Sequence, residues 1–442
     1  MTKVPSQKTP LSLYAWFLAS PESPRLIGEI IKQNNGDVGL AYAPSWLMDG
    51  FALSDDLPLM GEIFTPIHRM GRQAAAPGAL DDARPDRWGE KVIRYLYKPA
   101  ATLFENLYFA GDERFGAIGV SGSQASYQAF MPRALPRFTD ASDLVDALKI
   151  IAADDNQLTE QQRMLVGAGG SLGGAKPKAV IAIDGVEHVL KISGGEPFNH
   201  PLVEYATMTL ARQCGINVAN VQLIALPTEH ALAVQRFDRN DGQRIHCISA
   251  CTLLRSETPQ GLDPDFGYPH LARAMRRVAN PKTLSAQLLE LFRRMVFNIL
   301  VANTDDHEKN HAFLCHSKGR TVALELSSAF DIVPTGSGAL EHQFLISDTS
   351  RQPLLSNAMQ VASDFELSQT QGAQQIAKIM SVVDGWKAHF LACGVTASDV
   401  EQIAALIDSE ELMAQRARFK VSDFPDGVLK TKRIKGGAAA FK

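Results

Sequence analysis

Residues 303–310, Asn-Thr-Asp-Asp-His-Glu-Lys-Asn, gather carboxylates, an imidazole, a lysine and carboxamides directly after a long apolar run. A second acidic position, Asp331 in Ala329-Phe330-Asp331, arrives after two short apolar stretches, HAFLCH and TVALEL, turned by Lys318-Gly319. Phosphoryl transfer asks for positioning and charge neutralisation more than for covalent chemistry: a carboxylate beside the accepting hydroxyl, and oxygen ligands for magnesium. Asp305 as the proton acceptor, with Asn310 and Asp331 as the magnesium ligands, supplies those groups. The competing reading is a polar turn, which Asn, Thr and Asp form readily. His307 is read as a hydrogen-bonded residue orienting the nucleotide side of the site.

The next candidates lie in the most glycine-dense segment, GAGGSLGGAKPK, with five glycines between Gly167 and Gly174. It is not a Walker A motif: Gly169 and Gly174 have the right separation, but Ala175 stands where the lysine must be. Backbone N–H groups of Gly170, Ser171, Gly173 and Gly174 can still cradle phosphates, against the simpler reading of a flexible turn. Lys191, in HVLKIS, is placed to partner ATP phosphates, and Glu204 in the following helix to pair with it. Taken alone, a strand lysine is a solvated surface charge. Asp305, the Asn five positions later and an Asp after a short hairpin follow the order used by protein kinases.

These groups need scaffolding. AVIAI and EHVLKIS read as strands joined by Asp184-Gly185, a dipeptide suited to tight hairpin turns. A helix is expected from Asn199, which caps it, through PLVEYATMTLARQ to a stop at Gly215. VQLIAL and ALAVQRF read as further strands. Leu284, Leu288, Leu291, Phe292, Met295, Val296, Ile299 and Leu300 keep a 3.6-residue period, leaving Arg293 and Arg294 off the stripe. Upstream, residues 11–125 carry short apolar stretches (LSLYAWFLA, RLIGEII, DVGLAYAPSWL) punctuated by turn residues, a strand-rich texture. Within it Pro85 is placed to start a helix burying Trp88, Val92, Ile93 and Leu96. DLVDALKI forms a short amphipathic helix ahead of the glycines.

The 442 residues exceed one hydrophobic core, so several packed units are expected. A hydrophobic fraction of 45% and charged fraction of 21% are those of a globular protein. Net charge of −4 gives no global basic field for nucleic acid. The five cysteines, Cys214, Cys247, Cys251, Cys315 and Cys393, are odd in number and scattered, as thiols in a reducing compartment would be. Neither a signal-peptide core nor a membrane-length apolar run is found, so a cytoplasmic protein is expected.

The pieces RPDRWGEKVIR, SLGGAKPKAVI, HVLKIS, VQRFDR, HCISACTLL, NTDDHEKN and AFDIV resemble, in the same order, the HipA family of bacterial serine/threonine kinase toxins. The resemblance implies an α+β, protein-kinase-like two-lobed fold: a strand-rich N-terminal subdomain (1–135), a kinase N-lobe with the glycine-rich loop (136–240) and an all-helical C-lobe with the catalytic loop (241–442). It implies ATP and Mg2+ as cofactors, Asp305 as the catalytic Asp, Asn310 and Asp331 as metal ligands, and Lys191 as the ATP-phosphate lysine. Val234-Gln235-Arg236-Phe237 is then the adenine hinge, where many relatives have Glu in place of Gln235. Ser171 occupies the position of a regulatory autophosphorylated serine, and a phosphate there would repel bound nucleotide phosphates. Implied partners are a helix-turn-helix antitoxin of the HipB kind, DNA only through that antitoxin, and a protein substrate, an aminoacyl-tRNA synthetase being a known family target. The C-terminal LKTKRIKGG would add attraction to DNA, or is a solvated tail.

Three other readings stay open. Antibiotic and sugar kinases place Asp and Asn similarly, which would make this a small-molecule phosphotransferase. A pseudokinase acting only through its antitoxin and DNA is a second. A metal-binding structural protein is the third, prompted by His246, Cys247, Cys251 and Cys315-His316, but the Cys-x2-Cys spacing of common zinc sites is missing.

Overall fold

The structure, a computed structural model, describes residues 9–67, 74–98, 102–155, 158–169, 174, 176–227, 229–260, 262–335 and 341–426. Gly170, Ser171, Gly173 and the LKTKRIKGG tail lie outside the described residues.

The N-terminal stretches form strands β1 (Leu13–Phe17), β2 (Arg25–Lys32) and β3 (Val38–Tyr42), followed by helix α1 (Pro44–Asp49) and β4 (Ile63–Phe64). With β5 (Ile118–Ser121) they make an antiparallel sheet of order β4-β3-β2-β1-β5. Between β4 and β5 lie helices α2 (Gly78–Asp82), α3 (Arg87–Tyr97) and α4 (Leu103–Phe109). Helix α3 buries Trp88, Val92, Ile93 and Leu96 as the period requires, but begins at Arg87 with Asp86 as its N-cap rather than at Pro85.

Helices α5 (Ala141–Ala152) and α6 (Glu160–Gly169) lead to β6 (Lys178–Ile183) and β7 (Val186–Lys191). Ile183 pairs with Val186, so Asp184-Gly185 is a two-residue turn, and both residues take the positive φ (49° and 80°) that such a hairpin demands. Helix α7 (His200–Gln213) is capped by the Asn199 side chain and stops before Gly215, whose φ is 77°. Strands β8 (Val221–Ala225) and β9 (His230–Gln235) complete a sheet of order β6-β7-β9-β8. Central β9 is buried on both faces: Leu232 and Val234 pack on the α7 side, while Ala231 and Ala233 face α3 and α5.

A small ribbon, β10 (Arg239–Asn240) and β11 (Gln243–Arg244), and strand β12 (Cys247–Ser249) precede helices α8 (Ala250–Glu257), α9 (Tyr268–Val278) and α10 (Leu284–Leu300). Hairpin β13 (Ala312–Lys318) and β14 (Thr321–Leu326) follows, then α11 (Leu355–Gln360), α12 (Gln369–Val383), α13 (Trp386–Ala392), α14 (Ala397–Ile407) and α15 (Glu410–Arg418). Lys318 pairs with Thr321, so the turn is Gly319-Arg320 rather than Lys318-Gly319. The C-terminal unit is therefore not all-helical: β12 adds to this hairpin to give a three-stranded sheet. The third strand steadies the hairpin that carries the site, since an isolated two-stranded hairpin is only marginally stable in water.

The N-terminal unit is tied to the rest by a buried charge cluster. Arg236, 5% exposed, donates to both oxygens of Asp238 at 2.9 Å, to Glu113 at 2.8 Å and to the carbonyl of Arg114. Asp238 also accepts the Gly116 N–H at 2.8 Å. Burial raises the Asp238 carboxyl, but Arg236 and Arg239 outweigh it and hold the group well below the carboxylate range. Removing Arg236 leaves these interior carboxylates with Arg239 as their main remaining partner. Arg236→Ala is expected to lose about 3–5 kcal/mol of stability in denaturant unfolding monitored by fluorescence; a loss under about 1 kcal/mol would show that the cluster is not a fastening.

Candidate active site

Helix α10 delivers the chain to the site and ends abruptly. Ala302 adopts a left-handed φ of 55°, and its carbonyl accepts the N–H groups of Thr304 and Thr335 at 3.0 Å. A β-carbon disfavours that conformation, so the turn is held by its surroundings. Asn303, 1% exposed, donates to Asn298 at 3.1 Å, Asn298 donates to the Tyr268 hydroxyl at 2.9 Å, and that hydroxyl donates to Asp306 at 2.5 Å. His311 Nε2 lies 3.2 Å from the same carboxylate.

This network separates the two adjacent carboxylates. Asp306 is 2% exposed and points into the protein. Burial pushes it up, but His311 and Tyr268 reverse the effect and keep it below the usual carboxylate range. Asp305 is exposed to a cleft, with the Gln343 carboxamide donating to it. Burial, with Asp331 adding repulsion and His307 opposing, raises its carboxyl above the ordinary value. Of the two, Asp305 alone can meet a bound substrate.

Across the cleft, Lys191 at the end of β7 joins two acids. Its Nζ lies 2.5 Å from Glu204 on α7 and 2.7 Å from Asp331. Glu204 is fully buried, whereas the Asp331 side chain is 36% exposed and faces the cleft. Asp331 is placed by pairing of the segment after β14 with the stretch before β8: the Ala329 N–H donates to Asn217, and the Ala219 N–H donates to Ala329. Its φ of 59° is one that Asp tolerates better than most residues. Burial raises the Asp331 carboxyl, but Lys191 and Lys178 overcome it and hold the group far below its usual value. Lys191 is the converse: burial is outweighed by Asp331 and Glu204, and the ammonium is held above its usual range.

One cleft of about 490 Å³ collects these groups, with Lys191, Asp305, His307, Asn310 and Asp331 all lining it. Gly174, Gln235 and Phe237 line it as well. At its apolar end Phe237 and Phe330 lie 5.3 Å apart between ring centres, near Val189 and Val234. Gln235 bonds Asn220 at 2.8 Å through both its backbone N–H and its side chain. His307 accepts the Lys309 N–H at 3.1 Å and so caps the turn Glu308–Asn310. Every described candidate for phosphoryl transfer thus falls in one place, separated by up to 157 positions of chain between Gly174 and Asp331.

Three charged neighbours carried no role in the sequence reading. Lys176 and Lys178 flank the end of the glycine segment and line the cleft, and Lys176 pairs with Glu196 at 3.0 Å. Asp86 reaches in from the N-terminal unit to Lys309 at 3.0 Å. The available signals were two lysines next to glycines and an Asp directly ahead of a helix. The five described cysteines are free, and no cluster of three or more metal-ligating His, Cys, Asp or Glu side chains occurs among the described residues.

Residues 23–121 match the family model of the HipA N-terminal domain, and residues 170–386 that of the HipA-like C-terminal domain. The chain belongs to the HipA family. It is 24% identical to the serine/threonine-protein kinase toxin HipA of Shewanella oneidensis over 341 residues, 70% of this chain and 72% of that protein. The solved structure of the Shewanella oneidensis toxin–antitoxin system HipA, HipB and operator DNA superposes with a TM-score of 0.67 at 19% identity, covering 93% of this chain and 99% of that one. The fold of this HipA-family chain is accordingly α+β and kinase-like. No described helix is long and apolar enough to cross a membrane.

The opposite settings of the two carboxylates give opposite mutational outcomes. Asp306→Ala should cost about 3 kcal/mol by leaving Tyr268 and His311 without their acceptor, while Asp305→Asn should stay within about 0.5 kcal/mol of wild type. Parallel urea titrations check this, and equal losses would contradict the assignment of Asp306 to the interior.

Proposed function

We propose that this chain is an ATP- and magnesium-dependent serine/threonine protein kinase of the HipA toxin type, built from units 1–135, 136–240 and 241–442. The observation that carries the reading is the bridge from Lys191 to Glu204 and Asp331 in the cleft where Asp305 is exposed and Asp306 is not. A lysine tied to a helix glutamate and facing a metal-binding aspartate is the arrangement phosphoryl transfer to a hydroxyl requires.

Asp305 accepts the proton of the attacking hydroxyl, and Gln343 and the buried Asp306 network hold it in place. Lys191 meets nucleotide phosphates, and the apolar end by Phe237 and Phe330 takes the base, with Gln235 in the hinge. The carboxamide of Asn310 and the cleft-facing carboxylate of Asp331 are oxygen donors suited to a hard divalent cation. They would hold magnesium, which when bound neutralises phosphate charge. Gly170, Ser171 and Gly173 would cradle the phosphates, the Gly174 N–H being taken by Asp86, and Ser171 would be the autophosphorylated residue. A helix-turn-helix antitoxin and, through it, DNA are the proposed partners, supported by the relative whose solved complex contains HipB and operator DNA. The proposed substrate is a cytoplasmic bacterial protein, an aminoacyl-tRNA synthetase being the first to try.

Incubation with labelled ATP and magnesium should place label on Ser171 in wild type and none in Asp305→Asn, as mapped by mass spectrometry. ATP binding without any transfer, from a dephosphorylated sample, would favour a small-molecule acceptor or a non-catalytic role. The raised Asp305 carboxyl adds a pH test. A base works only when deprotonated, so kcat/KM should fall on the acid side at a pH above that of an ordinary Asp, near ~4. An acid limb at or below that value would remove Asp305 from the role of base.

A further inference from the structure

Asp86 sits at the N-cap of α3, where an Asp side chain ordinarily accepts an N–H of the first helical turn. It makes no such bond. Its carboxylate instead accepts the backbone N–H of Gly174 at 3.1 Å and pairs with Lys309 at 3.0 Å. Gly174 is the last glycine of the dense segment, and Lys309 lies between Asp305 and Asn310.

The same stretch grips Gly174 from its other edge. The Trp88 N–H donates to the Gly174 carbonyl at 3.0 Å, and the Trp88 indole donates to the Lys178 carbonyl at 2.8 Å. Gly174 has a φ of 104°, a backbone conformation that residues with a β-carbon rarely adopt, which suits glycine to this clasp. The Asp86 and Lys309 side chains are 18% and 24% exposed, shielded enough for the pair to resist screening.

We propose, resting on the kinase reading above, that Asp86 is a positioning residue for phosphoryl transfer. Its carboxylate fixes the spacing between the end of the phosphate-binding segment and the catalytic loop. The N-terminal unit thereby sets the geometry in which Asp305 meets the acceptor hydroxyl. Such spacing matters because displacements of about 1 Å cost about a hundredfold in rate.

The test uses the full chain with Asp86→Ala, Asp86→Asn, Lys309→Met and the Asp86→Asn/Lys309→Met pair. ATP affinity by calorimetry with magnesium, kcat for label transfer and melting temperature are measured for each. Asp86→Ala should lower kcat by about tenfold or more and weaken ATP binding, with melting nearly unchanged. Asp86→Asn keeps an acceptor for Gly174 and loses the ion pair, so it should keep ATP affinity and lose kcat. The paired variant should be no slower than the slower single, because both remove one interaction. Wild-type kcat in Asp86→Ala, losses that track melting alone, or additive losses in the pair would each overturn the proposal. A wild-type chain that neither binds ATP nor transfers phosphate would overturn the kinase reading and this inference with it, whereas active Asp86 variants would overturn this inference alone.

Discussion

The cleft depends on one ammonium group. Lys191 stands between Glu204, fully buried on α7, and Asp331, brought in by the segment after β14. Without the lysine the two acids would repel, and a buried carboxylate left unpaired costs several kcal/mol. With it, the triad adds little net stability, since desolvation consumes most of the Coulombic gain. Its value lies in registration: it joins a strand of one sheet, a helix on that sheet's face and a loop of the C-terminal unit at one point. Asp331 remains partly open to the cleft, so this coupling is exposed to whatever binds there.

The pair Asp305-Asp306 shows where sequence reasoning stops. Both residues have the same chemistry, and spacing to Asn310 favoured one of them without showing why the other is acid. The answer lies in side-chain contacts, from Tyr268 on α9, 38 positions back, and from His311 just ahead of β13. Asp306 fixes the loop from behind, and by doing so turns its neighbour outward. The second carboxylate is thus part of the support for the first.

Local rules made much of the fold legible. The Asp184-Gly185 hairpin, the Asn199 cap, the Gly215 stop and the α10 stripe all follow from backbone preference and periodicity, and the structure has each. The three-residue strand β12 had no such signal, because a strand that short exists only through its partner β13. One helix boundary slipped: α3 starts after Asp86, its N-cap, whose carboxylate accepts from Gly174 and pairs with Lys309. The Arg236 cluster joins groups more than a hundred positions apart, and nothing local marks Glu113 as its partner.

Those long-range links share a direction. Arg236 fastens the N-terminal unit to the strand that leads into the apolar end of the cleft. Asp82, which accepts from Ser249, and Asp86 fasten it beside the catalytic loop. Two attachments at opposite ends of one cleft leave the N-terminal unit little freedom to move without deforming the site.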